Sequence, residues 1–173
     1  MPSPAYLKIT GAKQKLISAG ASTVDSVGNI YQSEFEDEIL VQKIEHEINT
    51  PTDPQSGQPS GKRVHGPYKV TFTTNKSKPL LLTAICKSEL LEEVVIKQFR
   101  ATSAHPAEFY YKTTLENATI IKMRTSQTHA QEVDESFRQQ EVELWFSYKK
   151  ITESHEICGT EGSDDWEEGW TAV

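Results

Sequence analysis

Glu141-Val142-Glu143-Leu144-Trp145-Phe146-Ser147-Tyr148-Lys149 is the longest alternation in the chain. Val142, Leu144, Phe146 and Tyr148 face one way while Glu141, Glu143, Ser147 and Lys149 face the other, the period-two pattern of a strand with one buried side. The strand is predicted to run on toward Ile157. Working outward, Tyr68, Val70 and Phe72 repeat the pattern, and Tyr6, Leu7, Ile9 and Thr10 sketch a first strand ended by Gly11. Residues 38–48 place Leu40, Gln42, Ile44, His46 and Ile48 on one face and Val41, Lys43, Glu45 and Glu47 on the other. Further strand signals lie at residues 94–99, at Phe109, Tyr111, Thr113 and Leu115, and at residues 119–123. A polar stretch, residues 125–140, separates these from the longest alternation.

The remainder punctuates the strands. Residues 11–28 are rich in Gly, Ser, Ala and Thr and suit a long connection better than a helix. Pro79 followed by Leu80-Leu81-Leu82-Thr83-Ala84-Ile85-Cys86 is the one convincing helix, with Ser77 as N-cap and Leu81, Leu82, Ile85 and Cys86 on its apolar face. The stretch Pro51-Thr52-Asp53-Pro54-Gln55-Ser56-Gly57-Gln58-Pro59-Ser60-Gly61 is too rich in Pro and Gly for regular structure. It is therefore the long tip of a hairpin. Seven or so strands with one short helix predict a mainly β fold, a compact barrel or sandwich with one flanking α-helix. With 173 residues, of which 36% are hydrophobic, the chain is expected to be a single domain, residues 1–173, with a real core.

Composition narrows the function. Eighteen Lys and Arg against 25 Asp and Glu give a net charge of −7, which argues against nucleic-acid binding and against adsorption to an anionic membrane. No apolar run approaches the ~20 residues of a membrane span, so no membrane insertion is expected. The N-terminus lacks the basic and apolar regions of a cleavable signal, so any export is expected to proceed without one. Cys86 and Cys158 do not make a disulfide framework and are expected to be buried free thiols. From residue 159 onward the chain is an acidic tail: Glu161, Asp164, Asp165, Glu167 and Glu168 occur without a basic residue, yet Trp166 and Trp170 lie among them. Because tryptophan is costly to leave in water, Asp164, Asp165 and Trp166 are expected to dock the tail onto the body or a neighbouring subunit, with Trp170 contributing less.

Catalytic and metal readings fail on spacing. Gly57-Gln58-Pro59-Ser60-Gly61-Lys62-Arg63 has three residues between its glycines where a phosphate-binding loop needs four, and Arg63 stands where Ser or Thr would hold magnesium. His155-Glu156-Ile157-Cys158-Gly159 has Gly159 in place of the second histidine of a zinc protease helix. His46, His65, His105 and His129 are scattered singly, and neither cysteine has a histidine in a setting that suggests a thiolate nucleophile. No catalytic residue, metal or cofactor is expected. The edge strands of such a β domain need cover, and pairing between copies favours a closed homo-oligomer.

Asp25-Ser26-Val27-Gly28-Asn29-Ile30-Tyr31-Gln32, Asp53-Pro54-Gln55-Ser56-Gly57-Gln58-Pro59-Ser60-Gly61 and Gly162-Ser163-Asp164-Asp165-Trp166 stand in that order, framed by Lys149-Lys150-Ile151-Thr152 and His155-Glu156. Together they resemble the haemolysin-coregulated protein family, Hcp, the tube protein of type VI secretion, from Pro4-Ala5-Tyr6 to Trp166. The resemblance implies a β-barrel with one helix, assembled as a homo-hexameric ring that stacks into a hollow tube. It also implies a VgrG spike capping the tube, a contractile sheath driving it out, and effector proteins in its lumen. Such a protein is cytoplasmic before assembly and secreted afterwards. Asp53, Pro54, Gln55, Ser56, Gly57, Gln58, Pro59, Ser60, Gly61, Lys62 and Arg63 would form the loop through which one ring contacts the next. Three features depart from the family pattern: Glu153 replaces an expected aromatic, Glu167-Glu168 replace a common basic residue, and residues 125–140 match poorly. The chain ends seven residues past Trp166, so a plain structural subunit without a fused toxin is expected. The alternatives are a non-catalytic ligand-binding β module and, more distantly, an unrecognised hydrolase.

Overall fold

The computed structural model describes residues 4–129, 131 and 139–168. In chain order the elements are β1 Ala5–Gly11, β2 Lys15–Leu16, the one-turn helix α1 Val24–Val27, β3 Ile39–Glu45, β4 Ile48–Asn49, β5 Val64–His65 and β6 Tyr68–Thr73. They continue with α2 Lys78–Cys86, β7 Leu91–Arg100, β8 Glu108–Ser126, β9 Glu141–Ser147, β10 Lys150–His155 and β11 Thr160–Asp165. Strands β8, β7, β1, β3, β6 and β9 are neighbours in that order, and β9 pairs again with β8. The sheet therefore closes into a barrel through β8 and β9, and β10 and β11 extend from β8 with β11 as the free end among the described residues.

Closure depends on β8, a 19-residue strand that absorbs both strand signals between Phe109 and Met123. On one side it carries β7; on the other it carries first β10 along Tyr111–Glu116 and then β9 along Thr119–Ser126. Asn117, at φ 50°, breaks the pleat between the halves. The expected long strand is bent at Tyr148 and Lys149, so that β9 lies between β6 and the second half of β8 while β10 lies along the first half of β8. β11 then pairs with β10, Lys150 opposite Asp165 and His155 opposite Thr160.

The inner face is the predicted one on β9, where Val142, Leu144 and Phe146 are fully buried. Leu7, Ile9, Ile39, Val70, Phe72, Val94, Ile96 and Leu115 complete the core with Leu81 and Ala84 of α2. Four expectations are corrected here. A bulge in β3 between Val41 and Lys43 shifts the phase, so Ile39 and Val41 face the core before the bulge, Ile44 packs against it afterwards, and Gln42 and Ile48 are exposed. On α2, Leu82 and Cys86 face solvent because the helix presents Leu81 and Ala84 to the barrel. Ser77 precedes α2 but gives it no side-chain cap: its hydroxyl donates to Asn75 Oδ1 instead. Both cysteines are exposed free thiols rather than buried ones.

The β1 to β2 turn shows how one buried carboxylate can organise a connection. Glu89 Oε1 accepts the backbone N–H groups of Lys13 and Gln14, each at 2.8 Å, and Oε2 accepts Gln14 Nε2 at 2.8 Å. A Cβ on Gly11 would stand 2.5 Å from Glu89 Oε1, so the site requires glycine there. Burial pushes the Glu89 pKa up, but the bonds from Gln14 and Lys13 outweigh it and hold the group below its ordinary 4.5. That contribution is present above the unfolded pKa and is lost as pH falls through the lower folded value. Glu89→Ala is expected to cost about 1–3 kcal/mol in urea unfolding, because two backbone donors lose their acceptor. The deficit should shrink at acid pH.

Candidate assembly site at the root of the extended hairpin

Between β4 and β5 the chain projects as a long hairpin. Its root is a two-residue ladder, Ile48 opposite His65 and Asn49 opposite Val64, closed by Gly66 N–H donating to Glu47 O at 2.8 Å. Its tip is exposed but internally bonded. Thr52 bridges Pro59, Asp53 N–H donates to Gln58 O at 2.8 Å, and Gly57 N–H donates to Asp53 O at 2.8 Å. The Asp53 carboxylate accepts Gln55 N–H at 2.9 Å and the Ser56 hydroxyl at 3.0 Å, which holds its pKa below the ordinary value. Gly57 adopts φ 69°, a conformation that favours glycine. The tip is thus a built turn without apolar cover, and Pro54, Pro59, Ser60, Gly61 and Lys62 all face solvent.

The root is fastened to β11 by charge. Arg63 Nε donates to Asp164 Oδ2 at 2.5 Å, and its Nη2 donates to Asp165 O at 2.8 Å and Glu168 O at 3.4 Å. Asp164 Oδ2 also accepts His65 Nε2 at 2.6 Å. The Arg63 guanidinium, with help from His65, holds the Asp164 carboxyl below its usual range against the opposing effect of burial. Two residue groups singled out separately in sequence, the loop and the tail, therefore meet through Arg63 and Asp164.

Behind them lies a cluster that sequence spacing did not reveal. The Tyr148 hydroxyl lies 2.7 Å from His65 Nδ1 and 2.7 Å from His46 Nε2. The two histidines are thus not isolated, although 19 positions separate them. Tyr68 stacks near His46 at 5.0 Å between ring centroids, and Trp166 lies 5.0 Å from the His65 ring. Trp166 remains 46% exposed, so its ring covers His65 while keeping one face in water. Burial raises the pKa of Tyr148 and pushes that of Tyr68 up to about 12, so both hydroxyls stay protonated. Lys149 Nζ meets Glu167 at 2.9 Å. Trp170, also expected to pack, lies outside the described residues.

An open groove of about 440 Å³ runs beside the root, walled by Ile48, Ile151, Tyr111, Glu153 and β11. Glu153 accepts the Tyr111 hydroxyl at 2.9 Å. His155 is not remote from a thiol: its Nδ1 accepts Cys158 N–H at 3.1 Å and its Nε2 stands 4.0 Å from Cys158 Sγ. Tyr148→Phe should cost about 1–3 kcal/mol in urea unfolding, since it strips the shared partner from His46 and His65. A change below about 0.5 kcal/mol would mean that water satisfies both rings.

Comparison with known proteins supplies the family. The family described as "Type VI secretion system effector, Hcp" matches residues 6–155. The chain is 46% identical over 166 residues to the "Major exported protein" of Pseudomonas aeruginosa, covering 96% of each. Among solved structures it resembles one titled "Crystal structure of Hcp protein" with a TM-score of 0.89 and 44% identity, covering 94% of this chain and 99% of that one. It also resembles the secreted protein Hcp3 from Pseudomonas aeruginosa with a TM-score of 0.80 and 40% identity, covering 96% and 100%. The chain belongs to the Hcp family of type VI secretion proteins.

Proposed function

We propose that this chain is the structural subunit of a type VI secretion tube: six copies close into a ring, and rings stack through residues 53–63. The observation that carries the reading is the braced hairpin, whose tip is exposed and polar yet held in one conformation by its own hydrogen bonds and by the Arg63 to Asp164 contact. Preorganisation of this kind lowers the entropy cost of docking, which suits a contact repeated around a ring. The outer edge of β11, the end of the sheet among the described residues, is a second surface that a neighbouring copy could cover. In this reading the assembled tube carries effectors in its lumen, is capped by a VgrG spike, and is driven from the cytoplasm by a contractile sheath.

Light scattering after size-exclusion chromatography, with electron microscopy of the same fractions, tests it. A mass six times the 19.5 kDa chain and ring-shaped particles are expected. A monomer at every concentration would overturn the ring and favour a ligand-binding module built on the groove beside Tyr111 and Glu153.

A further inference from the structure

Glu153 stands in the groove beside the hairpin root as a half-buried carboxylate without a counter-ion: no ion pair among the described residues reaches it, nor Glu161 on the same groove. Tyr111 donates to Glu153 Oε2 at 2.9 Å, while Oε1 has no hydrogen-bond partner among the described residues. Burial, then the bond to Glu153, pushes the Tyr111 pKa up to about 12, so the hydroxyl keeps its proton and leaves the carboxylate its charge. Asp164 on the same wall differs, because Arg63 and His65 already meet it.

The groove around this charge is apolar, and one residue keeps it wide. Ile48 lines it while 50% exposed, and Ile151 lines it from the same strand as Glu153. In the ladder between β10 and β11 the residue opposite Glu153 is Gly162, and a Cβ built there would meet nothing within 4 Å. Gly162 is not among the glycines at positive φ, so the backbone does not require glycine at that position. A strand glycine of this kind marks a place where another group approaches closely.

We propose that the groove takes the arginine or lysine side chains of a basic peptide segment from another protein, with the cationic head at Glu153 beside Gly162 and the aliphatic stem along Ile48. Such side chains lay an apolar stem on apolar surface while the head meets a carboxylate, the two features this groove combines. The groove is open and follows β11 over residues 160–164, which suits an extended chain. A second copy carries the same net charge of −7, so a basic segment of a different protein is the better electrostatic match. The groove is built within one chain, and the proposal therefore does not rest on the ring reading.

Isothermal titration of the full chain with an acetylated, amidated peptide alternating serine and arginine tests it, at about 0.1 M salt to screen distant charge. Light scattering on the same samples records the oligomeric state, so a ring without binding sinks only this proposal, and a monomer with binding sinks only the ring. Saturable binding is expected, at least about tenfold weaker when citrulline, a neutral isostere, replaces arginine. Glu153→Gln keeps an acceptor for Tyr111 but removes the charge, and should weaken binding by about tenfold or more. Gly162→Val narrows the groove without touching any charge and should weaken binding to a similar degree, with the urea midpoint confirming that the variant is folded. Glu36→Gln removes one exposed charge from a different loop and should change affinity by less than about twofold. Absence of binding overturns the proposal, as do equal affinity for the citrulline peptide, equal affinity for free argininamide, a loss in Glu36→Gln as large as that in Glu153→Gln, or full affinity in folded Gly162→Val.

Discussion

Replacing residues 53–61 by a two-residue Asn-Gly turn is expected to abolish tubes and secretion while leaving the folded ring intact. The hairpin tip touches none of the core, and its hydrogen bonds close on themselves through Asp53, Ser56, Gln58 and Ser60. The root ladder and the Arg63 to Asp164 contact survive the deletion, because they lie outside the excised stretch. An Asn-Gly turn supplies the twist that a two-residue hairpin needs, and closing a shorter loop costs slightly less entropy. Monomer stability should therefore change by no more than about 0.5 kcal/mol. If residues 53–63 are the stacking surface proposed above, tube formation should fall to nothing, since that contact would be removed at every subunit at once. Electron microscopy of the purified protein and its level in culture supernatant read the outcome. Tubes or secretion at normal levels would show that residues 53–63 are not the stacking surface.

Phe146→Ala should produce the largest loss of stability of any change considered, about 3–5 kcal/mol. Phe146 is fully buried and stands at the seam of the barrel, in register with Tyr68 of β6 on one side and Ile120 of β8 on the other. Its removal opens a cavity where three strands converge, and relaxation is limited because closure fixes all three. Domains of this size retain only about 5–15 kcal/mol, so much of the folded population would be put at risk near 37 °C. Urea unfolding measures the effect. A loss below about 1 kcal/mol would mean that the seam collapses onto the void, and that closure is softer than the register implies.

Local pattern carried a good deal of the fold. The alternation from Val142 to Phe146 marked a face whose burial depends only on pleat geometry, and the buried residues are those three. The Pro and Gly content of residues 51–61 sufficed to exclude core structure there, because the backbone constraints of those residues act locally. The short helix after Ser77 was legible for the same reason. Period two also had a limit. It assumes an unbroken pleat, so the β3 bulge at Val41 and Lys43 sent Ile39 and Val41 inward where alternation had pointed to Leu40 and Gln42.

What the tertiary structure alone decided are the contacts between distant positions. Asp164 bonds His65 and Arg63 across 99 and 101 positions, and Tyr148 bonds His46 across 102. No spacing rule registers such pairs, because they are brought together by a barrel closing and by β10 and β11 folding back along β8. Exposure of Cys86 and Leu82 was likewise set by which side of α2 meets the barrel, a choice that a nearly all-apolar helix leaves open. In sequence the loop and the acidic tail read as two separate features; the fold makes them one, because Arg63 has its carboxylate partner only when β11 lies beside the root.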